Sequence, residues 1–284
     1  MTRRTGLDDR EVHDLAGKRD RGGPSAVIGG NKLYVEEAGR SDGPPALLLH
    51  GFMSSNLQWE PNRTGLGEQL RLLLTEQPGH GSSPGPDDAA AYRADAVIEQ
   101  LDQVRADRGI DRWWVIGQSL GGAMGIRYAM RHPNRVAGLV FTNSRALFGL
   151  AGRPAEGQTD AGLPPNPTRE QVQALPYHPR NAKRIPADLQ ARMITTADSM
   201  PLSVFRHLDA RGPWHSTDDL HRLTVPALLI NGRFEKAFQP SARQAQEALP
   251  ALRVVSLDGG HAVNIDQPAA FNAAVLDFIF TAAG

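Results

Sequence analysis

Short apolar runs, separated by polar stretches with helical spacing, set the pattern of this chain. Residues 46–49 are wholly apolar and end at His50-Gly51. Residues 70–74 are broken only by Arg71 and end near Pro78-Gly79-His80-Gly81. Further strands are expected at 113–116, 136–141, 227–230 and 253–257. Between them, 91–108 places Ala94, Val97, Ile98, Leu101 and Val104 on one helical stripe. A second helix is expected at 121–131, stopped by His132-Pro133. Two more are expected at 240–249 and 267–282. Near the start, 25–28 and 32–36 flank Gly29-Gly30-Asn31, a hairpin signal. Strands that are apolar throughout are buried on both faces. Alternating with helices, they predict an α/β protein with a mostly parallel sheet covered on both sides.

The alternation stops between 144 and 221. That stretch is rich in Pro, Arg and Ala and holds short helical candidates at 167–174, 186–195 and 201–208. It is too long for a simple loop and reads as a helical cap inserted after the sixth strand. Residues 1–24 are polar and charged and read as a mobile extension. The expected organisation is therefore an extension (1–24), a core in two pieces (25–143 and 222–284) and a cap (144–221).

Composition narrows the function classes. The chain has 284 residues, with 31 basic and 31 acidic side chains. Zero net charge gives no global field favouring nucleic acid or an anionic membrane. There are no cysteines, which removes disulfides, thiol nucleophiles and thiolate metal sites and suits a reducing cytoplasm. No apolar run approaches the roughly 20 residues needed to span a bilayer. Arg3-Arg4 lacks an apolar stretch behind it, so it does not read as an export signal. The nine histidines are scattered without a metal-ligand pattern. No phosphate-binding glycine loop occurs. The expectation is a cytoplasmic protein, monomer or homodimer, acting on a small molecule without cofactor or metal.

The chemistry centres on Gly117-Gln118-Ser119-Leu120-Gly121, between an expected strand and an expected helix. This is the nucleophile-elbow pattern G-x-S-x-G, and it predicts acyl transfer through a covalent serine intermediate. A serine at that place also suits a helix N-cap. Three other signals stand in order along the chain. They are His50-Gly51-Phe52 after an apolar strand, Gly232-Arg233-Phe234-Glu235 after a late strand, and Gly260-His261 after the last.

With these four signals the chain, over roughly 25–284, resembles the α/β-hydrolase-fold serine hydrolases with a helical cap. The resemblance implies Ser119 as nucleophile, His261 as general base and acid, and Glu235 as the acid that orients the histidine. Many relatives carry Asp at that last position, and the fold also accepts Glu. Asp258 is the competing acid. Some relatives place the acid after the sixth strand, where this chain has Thr142-Asn143-Ser144 and no carboxylate. The oxyanion hole is expected from the amides of Phe52 and Leu120, with Met53 a near competitor for the first. Met53, Gln118, Phe148, Trp214 and Phe238 are candidate substrate contacts. Trp113 and Trp114 read as packing residues, and His50 and His80 as structural ones. His207, Trp214 and His215 read equally as pocket lining or as cap anchors.

Serine at the elbow argues against the epoxide hydrolase and haloalkane dehalogenase branches, which use Asp there. Hydrolysis of a small to medium, mainly apolar carboxylic ester or lactone is the first expectation. Carbon–carbon bond hydrolysis of a diketone-like substrate is the second, because 232–240 partly resembles the corresponding loop of the enzymes acting on meta-cleavage products. Those enzymes usually have Trp after the base, where this chain has Ala262. A triad-retaining receptor with slow turnover is the alternative of another class.

Overall fold

The computed structural model describes residues 23–28, 31–144, 163–207 and 217–282. The strands are β1 (Gly23–Ile28), β2 (Asn31–Gly39), β3 (Pro45–Leu49), β4 (Arg71–Thr75), β5 (Trp113–Gln118), β6 (Val136–Thr142), β7 (Ala227–Gly232) and β8 (Arg253–Leu257). They form one sheet in the order β1-β2-β4-β3-β5-β6-β7-β8. The β1–β2 and β2–β4 pairings are antiparallel, and all others are parallel. The chain therefore crosses over a face of the sheet between successive parallel strands.

Alternation within each strand assigns side chains to two cores. Leu47, Leu49, Leu73, Trp113 and Val115 point to one face, where α2 (Ala94–Asp107), α3 (Leu120–Arg131) and α7 (Gln239–Ala248) pack. Ala46, Leu48, Leu72, Leu74, Trp114 and Ile116 point to the other, against α1 (Glu60–Gly67) and α9 (Pro268–Ala282). The adjacent tryptophans are thus packing residues on opposite faces. Phe238 is fully buried among the first set, so it packs the core and presents no face to a substrate.

Among the described residues between β6 and β7 lie three α-helices: α4 (Arg169–Gln173), α5 (Ala187–Ser199) and α6 (Leu202–Arg206). Leu163, Val172, Leu175, Ala197, Met200, Val204 and Phe205 from this stretch bury against Met53 and Tyr92 of the core. A second contact joins Leu189 and Met193 of α5 to Ile265, in the short helix α8 (Val263–Asp266) that follows His261.

One local expectation differs from the structure, and two short helices, α1 and α8, were not expected. The helix expected at 91–108 is a 3-10 turn, Ala89–Tyr92, followed by α2. Asp88 caps that turn, its carboxylate accepting from the Ala90 amide at 2.9 Å. The last expected helix is α9, which Pro268 starts afresh after the short α8. Helix α1 was not legible as an apolar stripe, because one of its buried positions is Asn62. The expected extension, up to residue 22, lies outside the described residues.

Candidate active site

Strand β5 delivers Gln118, and Ser119 makes the turn into α3 with φ 53° and ψ −117°. A left-handed backbone at a non-glycine residue costs on the order of 1–3 kcal/mol and persists only when its surroundings dictate it. Here they do. The Ser119 amide donates to Thr142 O at 3.0 Å, and Ser119 O accepts from the Gly122 and Ala123 amides. Glycines allow the tight crossing. A Cβ on Gly121 would sit 2.1 Å from Leu49 O, and one on Gly117 would sit 2.2 Å from Gly121 O. Although Ser119 occupies the N-cap position of α3, its side chain makes no capping hydrogen bond. The helix does not use the hydroxyl.

His261 follows β8. Its Nδ1 lies 3.0 Å and 3.1 Å from the two carboxylate oxygens of Glu235. An Nδ1–H donated there leaves Nε2 with its lone pair, the form a general base needs. The imidazole is 44% exposed and the Glu235 side chain 18%, so solute reaches the ring more readily than the carboxylate. Glu235 sits in a tight turn after β7, where its amide donates to Gly232 O and its carbonyl accepts from Phe238 N and Gln239 Nε2. The Asn143 amide donates to Glu235 Oε2 at 2.6 Å. The competing acid, Asp258, is ion-paired with Arg233.

The loop bearing His261 is held from two sides. Asp266 accepts from the Gly260 amide at 2.6 Å. Burial pushes the Asp266 carboxyl above its ordinary value, opposed by that hydrogen bond and by Arg184. On the other side, Gln118 Nε2 donates to His261 O at 3.0 Å. Gln118 also abuts Gly51, where an added Cβ would lie 2.4 Å from Gln118 Oε1 and 3.4 Å from Ser119 Cβ. Gln118, itself buried, thereby ties together the loops after β3, β5 and β8.

The loop after β3 is braced by His50, which is fully buried. Its Nδ1–H donates to Gly51 O at 2.7 Å, and its Nε2 accepts from the Gln77 amide at 3.2 Å. Burial pushes the imidazole down to about 4, so it is neutral near neutrality. Because the peptide is trans, fixing Gly51 O toward the ring turns the Phe52 N–H the opposite way. Met53 follows with φ 59°. His80 is likewise buried, with Nδ1 3.0 Å from Pro78 O and its ring 5.2 Å from that of His50. The Leu120 amide, first in α3, lacks an acceptor one turn earlier in the helix.

Above this loop, the Phe52 ring meets Phe205 at 5.7 Å and Tyr177 at 5.9 Å. Across the site, the Arg184 guanidinium lies 4.8 Å over the half-exposed ring of Phe234. Of the expected substrate contacts, Gln118 is in this region, Met53 is fully buried against the inserted helices and Phe238 is in the core. Phe148 and Trp214 lie outside the described residues, as does His215. His207 stacks beside Tyr92 at 5.4 Å. Among the described residues no three His, Asp or Glu side chains group in a way that could hold a metal.

Reading the sequence missed two contributors. Asn143 was passed over because it offers no carboxylate. Glu76 was given no role. It is buried, and its carboxylate accepts from the Asn56 and Ser82 amides. Its position at the end of β4, next to Gln77-Pro78-Gly79, was the available signal.

Residues 44–268 match the α/β hydrolase fold family, and the chain belongs to that family. It is 28% identical over 254 residues to the pimeloyl-acyl-carrier-protein methyl ester esterase of Nitrosomonas europaea, covering 84% of this chain and 96% of that one. Among solved structures it is similar to the enol-lactonase of Burkholderia xenovorans, with TM-score 0.72 and 23% identity over 90% of this chain and 100% of the other. An esterase from Exiguobacterium antarcticum has TM-score 0.72 at 21% identity, over 91% of this chain and 99% of its own. The two structural likenesses carry the fold. No helix among the described residues is long and apolar enough to cross a membrane.

Proposed function

We propose that this chain is a serine hydrolase that cleaves a small to medium, mainly apolar carboxylic ester or lactone through an acyl-enzyme. The observation that supports the reading is that Gln118, the neighbour of the strained Ser119, donates to the carbonyl of His261, whose imidazole is paired with Glu235. Ser119 attacks the carbonyl while His261 Nε2 takes its proton. Glu235 orients the ring and offsets the imidazolium charge. The tetrahedral oxyanion is met by the Phe52 and Leu120 amides, a pair in which each donor is worth about 10²–10³ in rate. The leaving group departs with the proton from His261, and water activated by the same residue releases the acyl group. The helical segment between β6 and β7 acts as a cap. Phe52, Tyr177 and Phe205 give it an aromatic wall suited to an apolar acyl or alkyl group. The methyl ester and lactone chemistry in the names of the similar proteins supports the same substrate class.

A panel of 4-nitrophenyl esters and simple lactones tests this. Many turnovers per molecule are expected from the wild type. None above background is expected from Ser119→Ala, in a protein that melts as before. About one turnover or fewer on every ester would favour the receptor reading. Turnover confined to a vinylogous diketone would favour carbon–carbon hydrolysis.

A further inference from the structure

Asn143 is a fully buried polar side chain in contact with the Glu235 carboxylate. It stands immediately after β6 with φ 41°, a left-handed conformation that Asn tolerates better than most residues. Its two ends are distinguishable. The Gly232 amide can only donate, and it reaches Asn143 Oδ1 at 2.9 Å. Thr142 Oγ1 reaches the same oxygen at 3.0 Å. The opposite end is therefore the NH₂ group, and it donates to Glu235 Oε2 at 2.6 Å. The carbonyls of Gly260 and Gly232 lie at 3.4 and 3.5 Å from the same nitrogen. One amide thus joins the strand end at β6, the turn bearing Glu235 and the loop bearing His261.

We propose that Asn143 is a positioning residue for the reaction, fixing the Glu235 carboxylate in the plane from which it meets His261 Nδ1. This rests on the reading of Ser119, His261 and Glu235 as the catalytic groups. A carboxylate on a two-carbon stem, in a turn, has freedom to rotate away from the imidazole. A buried donor on one oxygen removes that freedom and leaves the carboxylate facing the ring. The short strand-end asparagine does this without adding charge, in the place where a carboxylate would compete with Glu235 for His261. The charged groups around Asn143 include Arg233 with its partner Asp258, Glu235, Lys236 and His261, with Asp266 and Arg184 behind Gly260.

Asn143→Asp tests the proposal because it is isosteric. It keeps the acceptor for Gly232 N–H and replaces only the donor. Two carboxylates at that distance share a proton, which restores the donated bond, and they repel once it is lost. Turnover of a 4-nitrophenyl ester by this variant is expected to fall roughly tenfold further than the wild type between about pH 7 and pH 9, with KM little changed. Asn143→Ser, which cannot reach the carboxylate, is expected to lose about 10- to 100-fold in kcat at every pH. A purely bracing role predicts a wild-type pH profile for Asn143→Asp, and that result overturns the proposal. If Asn143→Asp does not fold, Asn143→Ser decides. Lost kcat at unchanged KM and melting temperature supports the proposal, and wild-type kcat overturns it. Ser119→Ala and His261→Ala run in parallel separate the two levels. If they abolish turnover while both Asn143 variants behave as wild type, only the positioning role fails. If they retain turnover, the catalytic reading fails and takes this one with it.

Discussion

Histidine is used in two opposite ways in this molecule, and burial decides which. His261 is half-exposed and paired with a carboxylate. His50 is sealed, hydrogen-bonded at both nitrogens in its neutral form, and pushed down to about 4 by desolvation. The sign of its effect on stability follows. Above about pH 6.5 both folded and unfolded chains hold it neutral, and it contributes no pH dependence. As pH falls from about 6.5 toward 4, the unfolded chain takes up a proton that the folded one refuses. Stability therefore declines over that window, by on the order of 3 kcal/mol at its lower end. Urea denaturation at about pH 7 and pH 5 checks this. His50→Asn is expected to be less stable than wild type at the higher pH but to lose less on acidification. An equal loss in both proteins would remove His50 as the cause. Ser119 and His261 stood out as candidates in Gly-x-Ser-x-Gly and Gly-His because tight backbone crossings leave a glycine signature. Asn143 and Glu76 could not, because a single polar residue at a strand end carries no periodicity, and only the partner it meets across the fold gives it meaning.

At the scale of elements, a buried amide cluster holds the loop that bears His261. Asn62 of α1 donates to Asn264 O and to Asn272 Oδ1 at 3.1 and 2.9 Å. Asn264 of α8 donates to Gln58 O at 2.8 Å and to Asn62 Oδ1 at 3.0 Å, and accepts from Gln58 Nε2 at 3.1 Å. Helix α8 begins two residues after His261, so this cluster anchors the loop that carries it. Asn264→Ala leaves the Gln58 amide and two acceptors buried and unpaired. It is expected to destabilise the fold by about 2–4 kcal/mol and to lower kcat, measured by denaturant midpoint and ester turnover. A change below about 0.5 kcal/mol would mean that water replaces the side chain at no cost. The same cluster explains why α1 was invisible to periodicity. One of its few buried positions is an asparagine satisfied by residues about 200 positions away, whereas α2 buries Val97, Ile98, Leu101 and Val104 at helical spacing.

At the scale of the whole molecule, the candidate groups come from the loops after β3, β5, β6, β7 and β8, all at the carboxyl ends of parallel strands. That is where open α/β sheets gather their sites. Strands apolar throughout announced such a sheet, because both faces must be covered, and the halt in alternation after 143 marked the inserted helices. What periodicity did not carry is the content of that insertion. It packs through Met53, Tyr92 and Phe205, contacts between segments far apart in sequence. The family fold hosts many reactions, so the assignment of this one stands on the serine.

Labelling with a fluorophosphonate, followed by peptide mapping, tests that assignment most directly. One adduct per chain is expected, on Ser119, formed in the wild type and absent from Ser119→Ala. It should form far more slowly in His261→Ala, which lacks the base that activates the hydroxyl. An adduct on another residue with Ser119 unmodified, or ester turnover surviving in Ser119→Ala, would contradict the account.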